Sequence, residues 1–180
     1  MNPIRKLAYN EIKSQRYSPD ELKSQPRFPI YVVLENIRSM YNVGAAFRTS
    51  DAARIQELIL CGYTACPPRK EIDKTALGAT ETVPWRHFKT GLDAVYWLHE
   101  QGVKVMVLEH TDQSQNLMTM NCEFPIALVI GNEVDGVSEE VVAAADLACE
   151  IPMYGMKQSL NAAVAYGIAV FQLVEKFHRK

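Results

Sequence analysis

Ile126-Ala127-Leu128-Val129-Ile130-Gly131-Asn132-Glu133-Val134-Asp135-Gly136-Val137-Ser138-Glu139-Glu140 joins an unbroken apolar run to a glycine, a turn and a helix start. Apolar residues in succession, without polar alternation, suit a parallel strand covered on both faces. Gly131 permits close backbone approach at the strand end, and Asp135-Gly136 is a turn. Ser138, followed by Glu139 and Glu140, opens a helix whose positive end favours acids. The unit is strand, loop, helix. It is neither G-x-G-x-x-G nor a phosphate loop, because no Gly-Lys-Ser/Thr follows. Taken alone, it reads equally as an ordinary connection.

The same alternation extends in both directions. Strands are expected at Ile30–Leu34, Leu58–Cys61, Val103–Leu108, Ile126–Ile130 and Ala148–Ile151. Helices are expected at Val43–Ile55, Leu92–Gln101, Glu139–Ala145 and Leu160–Phe177. This pattern implies an α/β fold, a mostly parallel sheet with helices on both faces. A chain of 180 residues makes one such domain with a short extension. Residues 1–29, ending in Pro26 and Pro29, read as a basic helical extension, and residues 30–180 as the main domain. Ligands of such sheets bind beyond the carboxyl ends of the strands, so the segments there carry the functional reading.

After the first strand, Asn42 is placed to cap the next helix, and Arg48 follows on a face made small by Gly44, Ala45 and Ala52. An arginine on such a face can hold a phosphate in fork geometry, or simply be a surface residue over tight packing. Arg54, with Asp51 three residues back, reads as a solvent ion pair. After the last strand, Ser159 is placed to cap the final helix, with Asn161 inside its first turn. That helix is apolar almost all round, so either it lies deep in the core or a second subunit covers it. A dimer is the favoured reading.

Composition bounds the function. Residues 1–48 carry eight basic and four acidic residues, net +4, and the remainder carries eleven and seventeen, net −6. A basic leading segment on an acidic body steers a polyanion towards one face, unless it is only a solvated helix. Lys70, Lys74, Arg86 and Lys89, with Trp85 and Phe88 between them, form a second basic stretch that either touches RNA or lines a solvated loop. Cys61, Cys66, Cys122 and Cys149 form no C-x-x-C, and no metal site is expected. His87, His99 and His110 are scattered and read as structural or exposed. Neither a signal peptide nor a stretch of membrane-spanning length is evident, so a soluble cytoplasmic protein is expected.

Three segments, each following a strand, together resemble the motifs of the SpoU family, RNA ribose 2′-O-methyltransferases of the SPOUT class. They are Asn42-Val43-Gly44-Ala45-Ala46-Phe47-Arg48-Thr49, Val129 to Ser138, and Ile151-Pro152-Met153-Tyr154-Gly155-Met156-Lys157-Gln158-Ser159-Leu160-Asn161. Lys74-Thr75-Ala76-Leu77-Gly78-Ala79 is also similar to the family. The resemblance implies a C-terminal trefoil knot, which periodicity cannot reveal and which general topology disfavours. It implies S-adenosylmethionine held near Leu108, Glu109, Gly131, Ile151, Met153 and Leu160, a homodimer built on the last helix, and tRNA or rRNA as substrate. It matches Arg48 to the catalytic arginine, with Asn42, Glu133, Ser159 and Asn161 as the polar residues around it. Glu133 would order the knot or the cationic cofactor, or else hold the Gly131 turn. A non-catalytic RNA-binding module on the same fold is the alternative.

Overall fold

A computed structural model describes residues 3–179. Two short helices, α1 (Tyr9–Lys13) and α2 (Pro19–Ser24), precede β1 (Phe28–Glu35). The chain continues through α3 (Met40–Ala53), β2 (Ile55–Cys61), α4 (Lys70–Ala76), β3 (Trp85–Phe88) and α5 (Gly91–Glu100). Then come β4 (Lys104–Leu108), β5 (Gln115–Asn116), β6 (Ile126–Ile130), α6 (Glu139–Ala144), β7 (Leu147–Glu150) and α7 (Ala162–His178). One sheet results, in the order β3-β2-β1-β6-β4-β7-β5, with every pairing parallel.

Register explains the unbroken apolar runs. Val32 lies opposite Leu58 on one side and Leu128 on the other, so alternate residues of three strands share a face. Ile30, Val32, Leu34, Leu58, Leu60 and Leu128 bury against Phe47 of α3, Ile72 of α4 and Tyr166 of α7. Their neighbours Val33, Ile59, Val105, Val107 and Val129 bury on the opposite face against Val95 and Leu98 of α5 and Val141 of α6. Each such aliphatic side chain contributes about 1.5–3 kcal/mol on burial. With both faces covered, a polar residue at either parity would be costly, which is why alternation vanishes.

Two strands escape the periodicity. β3 is an edge strand whose Arg86 and His87 are exposed, and β5 spans only Gln115–Asn116. Helix α4, only seven residues long, lies in the stretch expected as a basic loop, and the other differences concern element ends. α3 begins at Met40, so its cap is Ser39, whose hydroxyl accepts from the Asn42 N–H at 3.3 Å; Asn42 sits inside the first turn. α7 begins at Ala162 and is capped by Asn161, whose Oδ1 accepts from the N–H groups of Ala163 (3.0 Å) and Val164 (3.3 Å). Ser159 therefore stays in the preceding loop. Arg54 is no solvent ion pair: its guanidinium stacks 4.7 Å from the Phe28 ring, and Asp51 instead accepts from the Thr82 hydroxyl at 2.6 Å.

α7 is apolar on two sides for two reasons. Tyr166, Ala169, Val170 and Leu173 enter the core, and the fully buried Tyr166 hydroxyl meets Ser50 Oγ of α3 at 2.8 Å. Val164, Ile168 and Phe171, at helical spacing on the outer side, remain 51%, 38% and 48% exposed. The route into α7 also matters. β7 lies between β4 and β5, yet α7 packs on α3, β1 and β6. The connection 109–125 spans this crossing: Leu117 N–H donates to the Glu150 carbonyl at 3.0 Å, and Lys176 Nζ donates to the carbonyls of Met118 (3.3 Å) and Met120 (2.6 Å).

Candidate functional site

Beyond the carboxyl ends of β4, β6 and β7 opens a cleft of about 260 Å³. Leu108, Glu109 and His110 line it after β4, Gly131 to Gly136 after β6, and Glu150, Ile151 and Met153 after β7. Gln158, Ser159 and Leu160 of the crossing segment, with Ala162 and Ala165 of α7, complete it. All six residues expected at a cofactor lie in this lining, together with Glu133 and Ser159. Asn42, Arg48 and Asn161 do not line it.

Backbone geometry shapes the cleft floor. Asn132 and Gly136 exchange N–H to carbonyl bonds of 2.9 and 3.0 Å, closing the turn after β6. The Asn132 side chain holds that turn from inside. Its Oδ1 accepts from Val134 N–H (2.7 Å) and Asp135 N–H (3.0 Å), and its Nδ2 donates to the Asn36 carbonyl (2.9 Å) and to Tyr63 Oη. A Cβ on Gly131 would come within 2.2 Å of Gly136 C and Val137 N, so only glycine lets the turn fold back here. Glu109 accepts from the N–H groups of Val137 (3.0 Å) and His110 (2.9 Å), fastening β4 to the turn. The Ser138 hydroxyl is committed to buried Glu35 at 2.7 Å rather than to capping α6.

A polar relay joins the three motif segments. Asn161 Nδ2 donates to Asn42 Oδ1 at 3.2 Å, and Asn42 Nδ2 donates to Glu133 Oε1 at 2.8 Å. Glu133 also accepts from the N–H groups of Arg38 (2.9 Å) and Ser39 (3.1 Å), the orphan donors ahead of α3. Partial burial raises the Glu133 pKa, but the donors on Arg38, Asn42 and Ser39 outweigh it and hold the carboxyl below its ordinary range. A depressed carboxylate stabilises the fold above its unfolded pKa, and that stabilisation is lost as pH falls through the folded value. Glu133→Gln is therefore expected to destabilise the protein by about 1 kcal/mol near neutrality, modest because the carboxylate faces solvent. In thermal melts the gap from wild type should close under acid; a gap independent of pH would refute the assignment.

Arg48 projects from α3 into solvent and makes no hydrogen bond or ion pair among the described residues. It stands six residues beyond Asn42, about 9 Å along the helix axis. The small-residue face behind it is real: a Cβ on Gly44 would approach the Ile72 carbonyl to 2.2 Å, so α4 seats directly on α3. Of the second basic stretch, Lys70, Lys74 and Lys89 are exposed. Arg86, also exposed, pairs with Glu57 at 2.7 Å and stacks 4.0 Å from the Trp97 ring, so its charge is partly balanced within the protein.

His110, expected to be structural or exposed, lines the cleft, and Asn132 and Glu35 are residues of this region to which the sequence assigned no role. For His110 a signal existed, since it follows directly on Leu108-Glu109 at the end of a strand. Burial pushes the Cys61 and Cys149 thiols up to about 12, so both stay protonated near neutrality. Among the described residues, no group of His, Cys, Asp and Glu could hold a metal ion, and no helix is long and apolar enough to cross a membrane.

Known proteins share this architecture. The model of the SpoU rRNA Methylase family matches residues 29–171. A 23S rRNA (guanosine-2′-O-)-methyltransferase of Vibrio parahaemolyticus is 30% identical over 157 residues, 87% of this chain and 63% of the relative. The chain thus spans somewhat under two thirds of that relative's length. A tRNA (guanosine(18)-2′-O)-methyltransferase of Thermus thermophilus is 31% identical over 160 residues, 89% of this chain and 81% of the relative. Among solved structures, the AdoMet-bound rRNA methyltransferase of Sinorhizobium meliloti superposes with a TM-score of 0.75 at 32% identity, covering 87% of this chain and 60% of that one.

Proposed function

This chain belongs to the SpoU rRNA methylase family, and from that premise we propose that it transfers a methyl group from S-adenosylmethionine to a ribose 2′-hydroxyl of tRNA or rRNA. One observation carries the reading. Two of the three motif segments line a single cleft on the carboxyl edge of the sheet, and the Asn161–Asn42–Glu133 relay ties the third, on α3, to both of them. The relatives named above methylate guanosine 2′-oxygens, in rRNA for one and tRNA for the other.

The cleft suits the cofactor chemically. Leu108, Ile151, Met153 and Leu160 offer apolar surface, and Glu109, Glu133, Asp135 and Glu150 offer negative charge to a cationic ligand. Gly131 allows a ligand to approach the backbone. Bound S-adenosylmethionine supplies an electrophilic methyl carbon on a sulfonium. The nucleophile, a ribose hydroxyl, must shed its proton, and the charge that develops on its oxygen needs a fixed donor. Arg48 fits that role: a free guanidinium that grips the neighbouring phosphate in fork geometry and steadies the 2′-oxyanion, with positioning supplying much of the rate. Ser159 and Leu160 hold the cofactor's side of the cleft, while Asn42, Glu133 and Asn161 fix the loops around it. The crossing of the 109–125 connection over the path into α7 supports the threaded, knotted reading of the C-terminus.

Arg48 lies outside the cleft lining of one protomer, and a homodimer resolves this. The exposed Val164, Ile168 and Phe171 stripe begins between the cleft residues Ala162 and Ala165 on the first turn of α7, so a partner seated there stands at the cleft's rim. Ile168→Asp is expected to convert a dimer into a monomer at micromolar concentration, read by sedimentation velocity; an unaltered sedimentation coefficient would exclude this stripe as the interface. Exposed Lys70, Lys74 and Lys89, with the basic extension 1–29, provide the remaining positive surface for RNA.

The activity is tested by labelled methyl transfer from S-adenosylmethionine to total tRNA and rRNA, followed by nucleoside mapping. Label on a ribose 2′-oxygen is the expected result. Label on a base, or none on either RNA, overturns the assignment.

A further inference from the structure

The segment between β7 and α7 roofs the cleft through Met153, Gln158, Ser159 and Leu160, yet it contains neither helix nor strand. Among the described residues, a single hydrogen bond ties residues 152–160 to the rest of the protein, between His110 Nε2 and the Gln158 carbonyl at 3.1 Å. The other ring nitrogen, Nδ1, lies 3.2 Å from Glu150 Oε2, which also accepts from Ser114 Oγ at 2.8 Å. Both oxygens facing the imidazole are pure acceptors once Glu150 is ionised. A neutral ring carries one N–H and can serve only one of them. The imidazolium serves both.

We propose that His110 is a positioning residue whose charged form latches the Gln158 segment over the cofactor cleft, so that cofactor affinity weakens as pH rises through the titration of this imidazole. The inference rests on the reading of the cleft as the S-adenosylmethionine site. The charged groups facing His110 are Glu150, from β7, and Glu109, beside it at the end of β4; the crossing segment contributes the neutral Gln158 carbonyl. The hydrogen bond to Glu150, then that to Gln158, raise the His110 pKa, and slight burial opposes them. A raised pKa means that the latch is complete below the ordinary imidazole range and opens as pH climbs past the folded value. On deprotonation the remaining proton stays on Nδ1, facing the carboxylate. Nε2 then turns a lone pair towards the Gln158 oxygen, and the tether is lost.

Calorimetric titration of the full chain with S-adenosylhomocysteine, from about pH 6 to about pH 9, tests this. Wild-type affinity should weaken about tenfold across the range, the scale of one charge-assisted hydrogen bond. His110→Ala should be weak at every pH, with that step gone. Glu150→Gln should move the step to lower pH, because the chief stabiliser of the imidazolium is gone. A flat wild-type profile, or a His110→Ala protein that keeps the wild-type step, overturns the latch. Failure to bind at any pH overturns instead the cofactor reading beneath it.

Discussion

Arg48→Lys is expected to lower methyl transfer by about a hundredfold or more while leaving S-adenosylhomocysteine affinity and sedimentation unchanged. Removing a single pre-placed donor to a developing oxyanion costs about 10²–10³ in rate. Lysine keeps the charge but loses the planar fork that can engage a phosphate and an adjacent oxygen together. The comparison is clean because the guanidinium makes no intramolecular bond and both residues are good helix formers. Any loss therefore belongs to the reaction rather than to the fold. Initial rates on the RNA that accepts label, beside calorimetry of the product cofactor, separate the two. A lysine enzyme working near the wild-type rate would leave the fork without a role.

Gly131→Ala should act on the other half of the site, abolishing measurable cofactor binding and destabilising the protein by about 1–3 kcal/mol. The methyl would come within 2.2–2.3 Å of three main-chain atoms of Gly136 and Val137, none of which can rotate aside. Relief requires the Asn132–Gly136 turn to open, and that turn carries much of the cleft wall. Asn132 and Glu109 would be pulled from their backbone partners in the same movement. Chemical denaturation measures the stability and calorimetry the affinity. Full affinity in a Gly131→Ala protein would show that the turn does not shape the cleft.

The sheet was legible because its strands obey a simple rule: Val32, Val33 and Leu34 are buried on alternate faces, so the run is apolar throughout. β3 was not, since an edge strand carrying exposed Arg86 and His87 has no apolar period to detect. Caps were misplaced by two or three residues for a local reason. Ser39 and Asn42 are both good caps, as are Ser159 and Asn161, and only tertiary packing selects between them. Arg86 looked free to bind RNA because its partners, Glu57 and Trp97, are distant in sequence and meet it through sheet pairing and helix packing. His110 shows the reverse limit. Its chemistry depends on Glu150 and Gln158, some forty residues downstream, and no spacing rule connects them.

The pairing order of the sheet also bears on how this protein is made. β1 can pair with β2 once both have left the ribosome, but its other edge must wait for β6, which lies some ninety residues further along the chain. Through that interval the nascent chain presents an unpaired, strongly apolar strand edge, the kind of surface that invites association with other chains. Parallel pairings at such sequence separation also close slowly. Synthesis of this polypeptide should accordingly depend on holding factors at the ribosome, more than would a helical bundle of equal length.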